Sequence, residues 1–193
     1  MTRIRYSHGL SLIEVLVALL VLSVGLLGLA GLQMSGLRIV NNASFYTQGT
    51  LAINDIIERM RANPDAVDNN DFVAVNSTAI DCTALPNPYC SEYHDGSNNV
   101  AAASCTADQL AAYDINVWFC GENIGGGGRA GGVAAAFPNA VATITCLDAL
   151  TTDADACTNS SPHTVTLSWS ELNPDRSGGA DIVTKSITIT VQP

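Results

Sequence analysis

The feature that most restricts this chain is an apolar run near its start. Residues 10–32 read LSLIEVLVALLVLSVGLLGLAGL, and their only polar side chains are Ser11, Glu14 and Ser23. As a helix rising about 1.5 Å per residue, the run spans roughly 35 Å, enough to cross a bilayer core about 30 Å thick. Arg3 and Arg5 precede it, with no acid among residues 1–9. Cationic flanks stay on the cytoplasmic side of a membrane, so the remainder of the chain is expected to be exported. Of the 8 Lys and Arg residues these are two, which leaves six against 18 Asp and Glu. A surface that acidic repels phosphate backbones, so nucleic acid is not an expected partner, and the acidity serves solubility.

Glu14 separates three readings of the run. An ordinary secretory signal has a shorter apolar core, about 7–15 residues, and a small-residue cleavage site, for which Ala30 and Gly31 are available. A plain single-pass anchor fits length and charge but leaves Glu14 unexplained. An acid costs ~2.5–3.5 kcal/mol at the centre of a membrane helix and less near its end, where a partner is still expected. The third reading supplies that partner. Gly9-Leu10-Ser11-Leu12-Ile13-Glu14 resembles the class III signal of type IV prepilins: a basic leader ending in Gly, then an apolar stretch with Glu at its fifth position. The resemblance implies cleavage after Gly9 by a membrane prepilin peptidase and methylation of the new amine on Leu10, which stands where Phe is more usual. Glu14 would then neutralise the amine of a neighbouring subunit when helices bundle. In a low-dielectric bundle that pair is favourable chiefly because each charge alone would be costly, which makes Glu14 a register device. The continuation SLIEVLVALLVLSVGLLGLAGLQ is similar to minor pilins of the PilV type. Where major pilins often carry Pro, this chain has Gly25, Gly28 and Gly31, small residues that allow close helix approach or local flexing.

Beyond residue 32 the helix continues. Phe45, Gly49, Ala52, Ile53, Ile56 and Met60 recur at three- and four-residue intervals and form one apolar stripe. Arg59 and Arg61 suit the negative end of the helix dipole, and Asn63-Pro64 stops the helix. The organisation expected is therefore a cytoplasmic leader at 1–9, a helix at 10–62 with its 10–32 portion in the membrane, and an exported disulfide-containing head at 63–193. A break near Gly36, giving two helices, is the alternative. Residues 65–104 read mainly as loop, with a short strand at 72–75. Thr106-Ala107-Asp108-Gln109 has the form of a capping box and opens a helix at 107–119. The segment CTADQLAAYDINVW resembles a helix of the same minor pilin family. The glycine-rich stretch at 125–132 lacks the Lys-Ser or Lys-Thr pair of a phosphate-binding loop and reads as a flexible loop. Strands at 140–147, 163–169 and 182–191 alternate apolar and hydroxylated residues, the pattern of an antiparallel sheet with one face buried. The class implied is α+β: a long N-terminal helix packed on an antiparallel head, as in pilins.

The 6 cysteines, Cys82, Cys90, Cys105, Cys120, Cys146 and Cys157, all follow the apolar run. Their even number and export point to disulfides rather than metal or redox motifs, since no C-x-x-C is present. The local pairings Cys82–Cys90 and Cys146–Cys157 together force Cys105 onto Cys120. A continuous helix would hold those two roughly 20 Å apart, whereas a disulfide needs Cα atoms within about 7 Å. The helix is the stronger inference, so Cys105 is expected to bond to Cys82 or Cys90. No Gly-x-Ser-x-Gly elbow exists, and His94 and His163 have no marked nucleophile beside them. Asp65, Asp68 and Asp71, and Asp148, Asp153 and Asp155, lack the spacing of a calcium loop and read as solvated acids. Trp118 and Trp169 read as core. The resemblance thus implies a non-catalytic minor pilin without cofactor, acting in pilus biogenesis, twitching motility or attachment. Its partners would be other minor and major pilins, the prepilin peptidase, the inner-membrane assembly platform and membrane lipid. A type II secretion pseudopilin shares the leader and architecture. A membrane-anchored periplasmic binding protein or enzyme that never assembles is the alternative of a different class.

Overall fold

The computed structural model describes residues 11–73, 75–125, 128–148, 157, 161–173 and 182–193. By its internal contacts the chain divides into two units, Met1–Ser44 and Phe45–Pro193. Helix α1, Leu12–Ala62, is assigned without interruption, so the break near Gly36 does not occur. The elements that follow are α2 (Pro64–Asp68), β1 (Val75–Asn76), a 3-10 turn (Ser77–Ala79), β2 (Tyr93–His94), β3 (Asn99–Val100) and α3 (Ala107–Cys120). After them come β4 (Glu122–Gly125), β5 (Gly128–Ala130), α4 (Val133–Ala136), β6 (Val141–Cys146), β7 (His163–Leu172) and β8 (Ile182–Val191). The fold is α+β and pilin-like.

Pro64 both ends one helix and starts the next. It has no N–H to donate back into α1, yet its fixed φ suits the first position of α2. Asn70 then takes φ +63° and turns the chain. That turn corrects the strand expected at 72–75. Phe72 is a fully buried turn residue, and the strand is confined to Val75–Asn76, paired with Ile144 and Thr143.

The main sheet is antiparallel in the order β1-β6-β7-β8. On β7, His163, Val165, Leu167, Trp169 and Glu171 are buried, while the intervening Thr and Ser residues are half-buried on the other face. Hydroxyls pair across that outer face, Thr164 with Thr190 at 3.0 Å and Thr166 with Thr188 at 3.1 Å. The inner face meets the second half of α1. Ile53, Ile56, Ile57 and Met60 share a core with Trp118, Ile144, Val165, Leu167 and Trp169. Each fully buried side chain of that size contributes about 1.5–3 kcal/mol relative to exposure. Gly49 lets the sheet come close, because a Cβ there would lie 2.9 Å from Ile187 Cδ1.

Helix α3 begins as its sequence indicates. The Gln109 side chain accepts the Thr106 N–H at 3.1 Å, one arm of the capping box. The helix is tied to α1 by polar bonds that sequence spacing does not reveal. Trp118 Nε1 donates to the Ala52 carbonyl at 2.7 Å, and Asn63 Nδ2 donates to the Ala107 carbonyl at 2.8 Å. Arg59 reaches the Asp114 carboxylate at 2.8 Å and Asp55 at 3.3 Å. Burial pushes the Asp114 carboxyl above its ordinary range, and Arg59 offsets part of that rise. Burial alone would depress the Arg59 guanidinium, but its bond to Asp114 and the nearby Asp55 outweigh it.

Part of the glycine-rich stretch is regular structure rather than loop: Gly125 belongs to β4 and Gly128–Ala130 form β5, paired as an antiparallel ribbon. Gly121 and Gly132 adopt φ +91° and +79°, and their backbones approach so closely that a Cβ on Gly132 would strike the Gly121 amide. Arg129 locks the ribbon by donating to Asn116 Oδ1 at 2.8 Å, to the Gly121 carbonyl at 3.0 Å and to the Ala84 carbonyl. The repeated glycines thus serve close approach of backbones as well as chain reversal.

Candidate functional site: the N-terminal half of α1

Ser11 precedes the first helical residue and caps it. The Glu14 N–H donates to the Ser11 carbonyl at 3.0 Å and lies 3.3 Å from Ser11 Oγ, which satisfies a donor that a helix start leaves free. Glu14 falls in the first turn, where the helix dipole favours a negative charge. Its side chain is exposed, and none of the ion pairs formed among the described residues involves it. Gly9 and Leu10 lie outside the described residues.

Every large apolar side chain from Leu12 to Val40 is exposed, none by less than 44%. Cβ atoms built on Gly25, Gly28, Gly31 and Gly36 meet nothing within 4 Å. Apolar surface of this extent is unfavourable in water and requires lipid or other apolar helices around it. By length and composition α1 is able to cross a membrane. Chemically, this end of the molecule offers an apolar rod with one carboxylate in its first turn.

All six cysteines are paired. Cys82 joins Cys120 with Cα atoms 5.2 Å apart, Cys90 joins Cys105 at 5.9 Å, and Cys146 joins Cys157 at 6.3 Å. Of the three mutually incompatible ideas, the Cys82–Cys90 pairing is the one that fails. Helix α3 holds Cys105 and Cys120 at opposite ends, so each takes a partner from the preceding loop. The Cys82–Cys120 bridge closes the longest loop, with a sequence separation of 38, and loops of that order give about 2–4 kcal/mol. Trp118 and Trp169 are both buried. His163 is fully buried, its Nδ1 bonded to the Ser161 carbonyl at 2.9 Å. Asp153 and Asp155 lie outside the described residues.

A helix with an all-round apolar first half, and a second half that covers an antiparallel sheet, defines a pilin-like protein. Residues 31–116 match the family model for the type IV pilin Tt1218, and residues 4–30 match the prokaryotic N-terminal methylation motif. No curated protein and no solved structure matches the chain significantly. The two family-model matches support a pilin or pseudopilin with a class III prepilin signal, and the apolar half of α1 is long enough to anchor it in a membrane. That class has a structural role, assembling with other pilins after processing by a prepilin peptidase.

Proposed function

We propose that this chain is a minor pilin that enters or primes a type IV pilus by bundling its N-terminal helix with those of neighbouring pilins. The observation that carries the reading is the exposed apolar half of α1 with Glu14 in its first turn. In this reading Gly9 is the last leader residue, and the peptidase frees and methylates the Leu10 amine. The N-terminus starts on the cytoplasmic face of the inner membrane, and the head faces the oxidising periplasm, where its disulfides persist. Extraction of the helix from lipid exposes no new apolar surface if neighbouring helices replace lipid at once. Two charges then need compensation, the methylated amine of one subunit and Glu14 of the next. Paired, they cancel; unpaired in an apolar bundle, each is costly. The PilV-like run at 11–33 favours the pilus over a secretion pseudopilus, and the activity is that of a structural subunit in pilus biogenesis, twitching or attachment.

Mass spectrometry of the N-terminus of protein taken from membranes tests the processing step. The expected chain starts at Leu10 and carries one added methyl group, whereas a chain intact from Met1, or trimmed near residue 31, defeats the proposal. Glu14→Ala tests the register role. It should leave membrane insertion intact while reducing recovery of the subunit in sheared pili, and full incorporation of the variant would show that Glu14 has no such role.

A further inference from the structure

The bridges of the head do not join cysteines in the order in which they occur along the chain. Cys82 bonds to Cys120 and encloses the Cys90–Cys105 bridge, whereas Cys146 bonds to the next cysteine, Cys157. A chain exported from its N-terminal side presents Cys82 and Cys90 to an oxidising compartment before Cys105 and Cys120. In a flexible chain, loop closure falls off as about the 3/2 power of loop length. Cys90 follows Cys82 by eight residues and Cys120 follows it by 38, so contact of Cys82 with Cys90 is favoured by about tenfold. The structure that directs Cys120 to Cys82 forms later. It needs α3 seated on α1 by the bonds from Trp118 to Ala52 and from Arg59 to Asp114, which span 66 and 55 residues. A helix of 14 residues, the length of α3, is marginal on its own. Until it forms, Cys105 and Cys120 are neighbours on a flexible chain and pair by the same proximity. The product with Cys82–Cys90 and Cys105–Cys120 has no free thiol in this region. It also forbids α3, because the helix holds residues 105 and 120 roughly 20 Å apart.

We propose that this protein is a substrate of a thiol–disulfide isomerase, which converts the consecutive pairing into the nested one. The proposal rests on export to an oxidising compartment, as in the function given above. The exchange balances in atoms and electrons. The isomerase thiolate attacks Cys82 Sγ, forms a mixed disulfide there and releases the Cys90 thiolate. That thiolate attacks Cys105 Sγ, forms Cys90–Cys105 and releases the Cys120 thiolate. The Cys120 thiolate then attacks Cys82 Sγ, forms Cys82–Cys120 and returns the isomerase thiolate. Two bonds break and two form, and no oxidant or reductant is consumed. Folding draws the sequence forward, because the folded head holds the Cys82 and Cys120 Cα atoms 5.2 Å apart and buries Cys120. Cys146–Cys157 needs no exchange, since its partners are already consecutive.

The test is oxidative refolding of the full chain, reduced and unfolded in urea and then diluted into detergent micelles. Oxidised glutathione is the oxidant, and a purified bacterial disulfide isomerase is present or absent. Thiols are blocked at intervals and the bridges are mapped by mass spectrometry of proteolytic peptides. Without isomerase, Cys82–Cys90 should exceed Cys82–Cys120 by about tenfold in the early products. With it, that ratio should reverse. Removing the outer bridge makes the remaining pairs consecutive, so Cys82→Ala combined with Cys120→Ala should form Cys90–Cys105 equally well with and without isomerase. Predominant nested pairing with oxidant alone would overturn the proposal, as would an equally large isomerase effect on the double variant. Isomerase-dependent recovery of the nested pairs without earlier Cys82–Cys90 would overturn that bond as the target. Because the oxidant is supplied in solution, the outcome does not depend on N-terminal processing or pilus entry, and failure of either reading is told apart.

Discussion

Leu20 and Ile56 belong to the same helix, yet Leu20 is 64% exposed and Ile56 fully buried. Hydrophobicity does not distinguish them; the pattern around them does. Around Leu20 nearly every residue is apolar, so no direction of the helix is favoured and no single protein face can bury it. Around Ile56, Asp55, Glu58, Arg59 and Arg61 leave a single apolar stripe, and one sheet is enough to cover it. A continuous helix can thus serve two solvents. The all-round half is insensitive to the packing of the head, whereas the striped half is part of the head's core.

The largest test of that contrast is truncation. Ile56→Ala should cost the head about 2–5 kcal/mol, and Leu20→Ala should leave head stability unchanged. Chemical denaturation followed by tryptophan fluorescence measures this directly, because both Trp residues, 118 and 169, are buried in the head. Equal effects of the two variants would erase the distinction. Glycines provide the next contrast. Gly49→Leu overfills the space before Ile187 and should cost about 1–3 kcal/mol, while Gly28→Leu, in open surroundings, should leave the fluorescence transition in place.

Arg59 sharpens the comparison electrostatically. Arg59→Met leaves Asp114 without its guanidinium, at a cost of about 1.5–3 kcal/mol near neutral pH. The folded-state carboxyl, already raised by burial, rises further. An acid whose folded value is raised destabilises when ionised, so this loss should shrink as pH falls through that value and the carboxyl protonates. Melting curves at successively lower pH would show it, and a loss independent of pH would contradict the charge argument. The smallest effect belongs to His163. Burial lowers its folded pKa from 6.5, partly opposed by the Ser161 carbonyl. Its neutral form is therefore stabilising above the unfolded value, and stability should decline as pH falls below 6.5 toward the depressed folded value. His163→Leu should remove that slope from the same melting curves.

Much of this was legible from periodicity. The stripe from Phe45 to Met60, the capping box at Thr106 and the alternation on β7 and β8 each carry a local repeat that only one kind of element satisfies. The place of Glu14 in the first turn of α1 was legible too, since the apolar run begins just before it. The turn at Asn70 and the pairing of β4 with β5 were not, since glycine and asparagine composition reads equally as freedom or as a tight approach. The bonds from Trp118 to Ala52 and from Arg59 to Asp114 span 66 and 55 residues, beyond the reach of any local pattern.

The linear chain alone determined the helix, its change from all-round apolar to one-sided, the acid at its start and the alternating strands, because these depend on side-chain period and charge within a few turns. Which cysteines join, why Gly121 and Gly132 must be glycine, and where Arg59 meets Asp114 were decided only by folding. Those outcomes depend on distances between segments far apart along the chain, which packing sets and local order does not.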